Sequence, residues 1–188
     1  MFKLILSIVT LGIVLTSCTT NPEVETNSEN KTNMDSTTEN STSRNLKNLQ
    51  LNYETVITST GLTQSTLLTK EEEKIYSLNK IDVSYSGDNF IYHFFETVFT
   101  DNKIKVILLG REYESENCIW LCVFDKEHNL LDTKEVYYDN AEGFKSVTST
   151  IKNNTITIIT NNDFAENENE KTVTENYSLT ADNKLVKL

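Results

Sequence analysis

The chain has 188 residues and a formal net charge of −11, with 37% hydrophobic and 24% charged residues. This length fits one globular domain with additional segments. The acid excess argues against nucleic acid as a partner, because affinity for phosphates depends on Lys and Arg. One Pro and five Gly exclude collagen-like and proline-rich classes.

The first residues have the pattern of an export signal. Lys3 provides a positive charge, and residues 4–15 (LILSIVTLGIVL) form an uninterrupted run without charged side chains. A helix that spans a bilayer needs about 20 residues, whereas the apolar core of a signal peptide is shorter. The pattern therefore predicts a signal peptide rather than a membrane-spanning helix.

The run ends in Leu15-Thr16-Ser17-Cys18, which resembles the lipobox of bacterial lipoproteins. The resemblance implies that residues 1–17 are removed as a signal peptide and that diacylglycerol is attached to the thiol of Cys18. Two or three acyl chains anchor a protein stably without spanning the membrane. The alternative is an ordinary secretory signal in which Cys18 is incidental.

The residue after the cysteine bears on the destination. In lipoprotein sorting an Asp at this position favours retention in the inner membrane, and this chain has Thr19. The resemblance therefore implies a cell-envelope protein anchored to the outer membrane. In a bacterium with one membrane, the equivalent place is the outer face of the plasma membrane.

Residues 18–45 comprise the lipidated cysteine and a polar tether. Between Thr19 and Asn45 there are seven Thr, six Asn and four Ser. Such a segment cannot bury enough apolar surface to offset its conformational entropy, so it is predicted to be disordered. A coil of this length spans about 30 Å.

The next elements are short. Tyr53–Thr58 is predicted to be a strand, and so is Ile81–Tyr85. Between them, Thr69 and Glu72 have the spacing of a capping box, which predicts a short helix near residues 70–78.

Residues 46–188 are predicted to form a single all-β domain. Asp and Asn, which tolerate turn conformations, separate runs rich in β-branched and aromatic residues. The runs are Phe90–Phe99, Ile104–Leu109, Ile119–Phe124, Leu130–Tyr138, Val147–Ile151, Thr155–Thr160, Thr172–Leu179 and Lys184–Leu188. The pattern predicts an up-and-down antiparallel meander of about eight strands.

Three arrangements of this meander remain open: a sandwich, a small barrel or one curled sheet. Ile119–Phe124 is apolar at every position, which predicts a central strand covered on both faces. The segment from Tyr53 to Leu78 is the candidate cover.

Two cysteines and two histidines of the domain were considered as functional groups. Cys118 and Cys122 would lie about 13 Å apart on a strand, too far for a disulfide, but close enough on a helix. On a strand we interpret them as buried core thiols. A zinc site would need His93 and His128 as further ligands, and we interpret His93 as a structural histidine.

Two acidic loops were considered for calcium. Asp163, Glu166, Glu168 and Glu170 alternate in one loop, and residues 139–143 form another, but neither has the spacing of an EF-hand. The sequence contains no motif of nucleophilic or acid–base catalysis. We therefore predict no catalytic residues, no metal site and no cofactor.

The loop from Tyr137 to Phe144 combines aromatics with carboxylates. Tyr137, Tyr138 and Phe144 form the predicted interaction loop, because recognition often occurs on loops of a rigid sheet. The sequence thus predicts a non-catalytic envelope lipoprotein that binds an unidentified protein or small ligand. A lipocalin-like carrier of small ligands and an envelope enzyme are the alternatives.

Overall fold

A computed structural model of the chain describes residues 44–58, 61–85, 90–114, 116–140 and 142–188. The predicted signal peptide, Cys18 and the predicted tether as far as residue 43 lie outside the described residues. No helix in the described ranges is long and apolar enough to cross a membrane.

The described residues form twelve strands and four short helices. The strands are β1 (Leu49–Leu51), β2 (Ile57–Thr58), β3 (Gly61–Leu62), β4 (Thr66–Leu67), β5 (Ile91–Thr100), β6 (Ile104–Tyr113), β7 (Glu116–Asp125), β8 (Leu130–Asn140), β9 (Lys145–Lys152), β10 (Thr155–Asn162), β11 (Thr172–Leu179) and β12 (Leu185–Lys187). The helices are α1 (Tyr53–Val56), α2 (Lys70–Ile75), α3 (Leu78–Ile81) and α4 (Glu168–Lys171).

Ten strands form one antiparallel sheet. Strands β4 to β12 follow one another in chain order, and β1 pairs with β9 in addition. The sheet is not closed, because β4 and β12 lie at its two ends. It is curled, since Val98 of β5 and Ile156 of β10 belong to the same apolar core. The predicted all-β meander is confirmed, as a curled sheet and not as a small barrel.

All eight predicted strands are present, as β5 to β12. Several are longer than predicted, because polar residues continue the pairing at the ends of the sheet. Glu112, for example, pairs with Asn117, and Tyr113 pairs with Glu116. Strands β6 and β7 therefore stay paired up to their adjoining ends.

The two short predicted strands are wrong, except that Ile57–Thr58 at the end of the first forms β2. Tyr53–Val56 is helical because Asn52 caps it: the Asn52 side chain accepts from the Thr55 amide at 3.0 Å. The second, Ile81–Tyr85, begins with the last residue of helix α3 and continues as a turn. The Asn52 cap decides the first segment, whereas Ser77 at the start of α3 forms no side-chain cap bond. Both segments are too short for a clear hydrophobic period.

The predicted helix near residues 70–78 is confirmed as α2. Its capping box is formed as expected: the Thr69 hydroxyl accepts from the Glu72 amide, and the Glu72 carboxylate accepts from the Thr69 amide at 2.8 Å. The bonds that the Glu72 carboxylate accepts from the Thr69 amide and the Thr69 hydroxyl also lower the pKa of Glu72 below its ordinary value.

Strand β7 is central and covered on both faces, as predicted. Ile119, Leu121 and Val123 belong to a large core on one face. Trp120 and Phe124 belong to a second core on the other face. Opposite faces alternate along a strand, so an uninterrupted apolar run requires two covers.

The segment before β5 packs against both faces of the sheet. Val56 and Leu62 pack into the large core, whereas Leu78 and Ile81 pack into the second core. Leu62 lies so close to β6 that a Cβ atom on Gly110 would be 2.9 Å from its Cδ1 atom. The chain therefore passes over one face of the sheet, contributes β4 to its edge and then covers the other face.

The meander has two ends, which the turns occupy alternately. The turns β5–β6, β7–β8, β9–β10 and β11–β12 lie at one end, and Arg44 lies there too. The Arg44 guanidinium donates to the Thr180 carbonyl at 2.5 Å and to the Asn183 side chain at 2.6 Å. We name this the Arg44 end. The connections β6–β7, β8–β9 and β10–β11 lie at the opposite end, which we name the Phe144 end.

Candidate functional site

The most buried charged pair lies on the face of the sheet that carries the second core. Arg111 of β6 is 6% exposed and Asp82, after α3, is 3% exposed. The Arg111 Nη1 atom lies 3.0 Å and 3.2 Å from the two carboxylate oxygens of Asp82. The Tyr92 hydroxyl donates to the same carboxylate at 2.7 Å. Burial and this bond raise the pKa of Tyr92, so it remains a donor.

The rest of the Arg111 guanidinium is also enclosed. Its Nη2 atom lies 3.3 Å from the Glu116 carboxylate and 3.4 Å from the Cys118 sulfur. Its central carbon lies 4.7 Å from the ring centroid of Phe90 and 5.9 Å from that of Trp120. Aromatic rings and polar side chains of the protein thus surround much of the guanidinium. This arrangement holds the segment after α3 against the sheet and leaves little of the guanidinium accessible to a ligand.

The prediction that Cys118 and Cys122 are core thiols is confirmed. Both are free and buried. Burial raises the pKa of each thiol to about 12, so neither is present as the reactive thiolate at neutral pH. Their strand conformation excludes the disulfide that a helix would have allowed.

His93 is placed between two polar partners. It is 7% exposed, its Nδ1 atom lies 3.0 Å from the Ser65 hydroxyl, and its Nε2 atom lies 3.4 Å from the Glu112 carboxylate. Burial lowers the pKa of His93, against the opposing effect of Glu112. The Ser65 hydroxyl also lies within hydrogen-bond distance of the Leu62 carbonyl, at 3.2 Å. These contacts join β4 and its flanking residues to β5 and β6, as expected of a structural histidine.

The predicted interaction loop needs correction, because β8 continues to Asn140. Tyr137 is 1% exposed and belongs to the large core, so it is not available to a partner. Tyr138 is half-buried, and its hydroxyl donates to Glu116 at 3.1 Å. Phe144 alone of the three is substantially exposed, at 43%.

Phe144 is paired with an aromatic that the sequence analysis did not single out. The ring centroids of Phe144 and Phe164 lie 4.9 Å apart, and Phe164 is 71% exposed. The two residues flank the open end of the β9–β10 hairpin, where the Asp163 amide donates to the Phe144 carbonyl at 2.8 Å. A phenylalanine within the Asn- and Glu-rich segment 161–170 was the available signal for Phe164.

Acidic residues lie near Phe144 and Phe164 in the sequence. Glu142, Asp163, Glu166 and Glu170 are all exposed, and in the described part of the chain none of them forms an ion pair. Residues 142–145 and 163–171 together contain five acids and two lysines. We name the Phe144–Phe164 pair together with Glu142, Asp163, Glu166 and Glu170 the aromatic–acidic surface.

The other sites considered from sequence are not assembled. Across the described ranges, no three or more His, Cys, Asp and Glu residues are grouped as metal ligands would be. Glu168 lies in α4 and pairs with Lys171 at 2.6 Å. His128, considered for zinc, lies in the β7–β8 turn with a positive φ of 66°. The carrier alternative required a closed barrel, which the open sheet does not provide.

Comparisons with known proteins return no relatives. No family model, no curated protein and no solved structure matches the chain. The residues and their geometry are therefore the whole basis for a functional proposal.

Proposed function

We propose that this protein is a bacterial envelope lipoprotein that binds a partner without catalysis. In this proposal the lipid on Cys18 anchors it to the outer membrane, or to the outer face of the plasma membrane in a cell with one membrane. The lipobox-like residues Leu15-Thr16-Ser17-Cys18 and the preceding apolar run support the anchor.

The observation that carries the binding role is the exposed Phe144–Phe164 pair at the Phe144 end. Large apolar side chains that are exposed together mark interaction sites more often than single ones do. The chain enters the described domain at Arg44, at the opposite end of the sheet. Strand β9, eight residues long, separates the two ends by about 26 Å. Within the described domain, the aromatic pair therefore lies at the end of the sheet remote from Arg44.

The anchor is tested by metabolic labelling with a palmitate analogue in a bacterial host. We expect label in the wild-type protein and its recovery with membranes. The Cys18→Ala variant should carry no label and should be released from the membrane by washing. A variant of a domain cysteine, Cys122→Ala, is the matched control and should keep the label. An unlabelled wild-type protein would contradict the anchor.

The binding role is tested by photo-cross-linking in intact cells of the bacterium that encodes the protein. A photoreactive phenylalanine analogue is introduced at Phe164, and in a separate variant at Tyr53, which is 62% exposed in α1. We expect one discrete adduct of higher mass from position 164 and none from position 53. The absence of adducts from a panel of exposed positions around the domain would contradict a binding role.

A further inference from the structure

We infer that the aromatic–acidic surface binds a cationic, amphipathic segment of a partner protein, one that presents Lys or Arg together with apolar side chains. This inference rests on the proposed binding role and specifies its site and its partner. It follows from three features of the surface: the fixed position of the rings, the negative charge around them, and the two nearby lysines that already have partners.

The two rings are held by the fold. Asn162 pairs with Lys145 in the register of β9 and β10, so Phe144 and Phe164 leave the hairpin side by side. The Phe164 amide lies 3.2 Å from the Asn162 side-chain oxygen, and the Ala165 amide donates to the Asn162 carbonyl at 3.1 Å. Rings positioned in this way bind with a small loss of conformational entropy, as aromatic anchors of interfaces do.

The charge around the rings selects the partner. Glu142 precedes Phe144 by two residues, Asp163 adjoins Phe164, and Glu166 follows it by two. The two nearby lysines are already engaged: Lys171 pairs with Glu168, and the Lys145 ammonium lies 5.2 Å from the ring centroid of Tyr138. The surface therefore presents unpaired negative charge, which attracts a basic segment and steers its approach.

The same charge disfavours other occupants. A second copy of the chain would bring the same acids together at a two-fold interface, at a cost in like-charge repulsion. Anionic lipid headgroups and nucleic acid are repelled for the same reason. A neutral apolar ligand would leave the flanking carboxylates without partners. A segment with both basic and apolar side chains satisfies the rings and the acids together.

The test measures binding of fluorescent peptides to the full-length protein in neutral detergent by anisotropy. Three peptides of equal length alternate Lys with Leu, Lys with Ser, or Glu with Leu. We expect binding of the Lys–Leu peptide, binding at least about tenfold weaker for the Lys–Ser peptide, and no binding of the Glu–Leu peptide. The affinity should fall when salt is raised from about 0.02 M to about 0.5 M.

Variants assign the binding to this surface. The double variant Phe144→Ala, Phe164→Ala should raise the dissociation constant for the Lys–Leu peptide at least about tenfold, and Asp163→Lys, Glu166→Lys should do the same. Tyr53→Ala is the matched control for the aromatic change. Glu127→Lys with Asp182→Lys alters the charge equally at the Arg44 end, and both controls should bind as the wild type does. Urea unfolding curves establish that each variant is folded.

The outcomes separate this inference from the proposed function. Failure of the wild-type protein to bind the Lys–Leu peptide overturns the inference, and so does equal weakening by the control variants. The anchor is unaffected by either result, because palmitate labelling does not involve these residues. Cross-links from other exposed positions, together with a negative peptide assay, would retain the binding role and move its site elsewhere.

Discussion

The Arg111 guanidinium and the Asp82 carboxylate are in contact at 3.0 Å across two different elements, near the end of strand β6 and at the residue after helix α3. Both side chains are almost fully buried. Such a pair contributes little net stability when intact, because desolvation offsets the attraction, but removal of one partner leaves an uncompensated charge. The pair therefore fixes the position of α3 on the sheet more than it stabilises the fold.

Removing the Asp82 carboxylate should lower the stability of the protein substantially. We expect Asp82→Ala to lower the free energy of unfolding by about 3–5 kcal/mol, because Arg111 and Tyr92 both lose their buried partner. The measurement is urea denaturation followed by Trp120 fluorescence. Glu127→Ala, which removes an exposed partner of Lys126, is the control and should cost at most about 1 kcal/mol. A cost for Asp82→Ala as small as the control's would show that the pair is unimportant.

The two buried thiols should be unreactive in the folded protein. Burial raises the pKa of Cys118 and Cys122 to about 12, and neither side chain is accessible to reagent. In the Cys18→Ala variant we expect no reaction with a chromogenic disulfide reagent under native conditions. Both thiols should react once the chain is unfolded in guanidinium without a reductant. Absence of reactive thiols after unfolding would indicate a disulfide and contradict the strand geometry.

His93 should make stability depend on pH. Its pKa is lowered by burial in the folded protein, so below the ordinary value of 6.5 the unfolded chain binds a proton that the folded protein resists. Stability is therefore expected to fall as the pH decreases through this region. His93→Gln should reduce that slope, measured as the free energy of unfolding at several pH values. An unchanged slope in His93→Gln would contradict the assignment of this pH dependence to His93.

Glu112 should oppose the lowering of the His93 pKa by burial. Its carboxylate lies 3.4 Å from the Nε2 atom of His93 and favours the protonated ring. We expect Glu112→Gln to lower the pKa of His93 further, as read from the pH dependence of its ring proton resonances. Glu114→Gln, in the adjacent exposed turn, is the matched control and should leave the resonances unchanged. A pKa that rises in Glu112→Gln would refute this role.

The effect of a substitution in the β9–β10 turn on stability should depend strongly on the residue type introduced. Asn153 and Asn154 have positive φ angles of 50° and 63°, a region that Gly and Asn adopt more easily than β-branched residues. We expect Asn153→Val to destabilise the protein by about 1–2 kcal/mol, whereas Asn153→Gly should be close to neutral. Thermal unfolding of the two variants measures the difference. Equal stability of both would show that the turn has changed its conformation.

Much of the fold could be predicted from local patterns. Long strands such as β7 and β10 are rich in the β-branched and aromatic residues that favour strands, and Asn153 with Asn154 marks a turn by conformational preference. The capping box of α2 was equally predictable, because Thr69 and Glu72 lie three residues apart and form reciprocal hydrogen bonds with each other. The conformations of Tyr53–Thr58 and Ile81–Tyr85 were not predicted, because the first depends on the single cap at Asn52 and the second on the packing of α3 against the sheet.

The same division, between what local patterns predict and what depends on tertiary contacts, applies to the aromatic–acidic surface. The all-β meander, its turns and the buried character of β7 follow from local sequence patterns, because strand period, turn residues and apolar runs act over a few neighbouring positions. The burial of Tyr137 in the core, the contact of Arg111 with Asp82 and the position of Phe164 beside Phe144 arise in the folded domain. Those relationships depend on the register of paired strands and on the curl of the sheet, which bring together residues far apart in the chain.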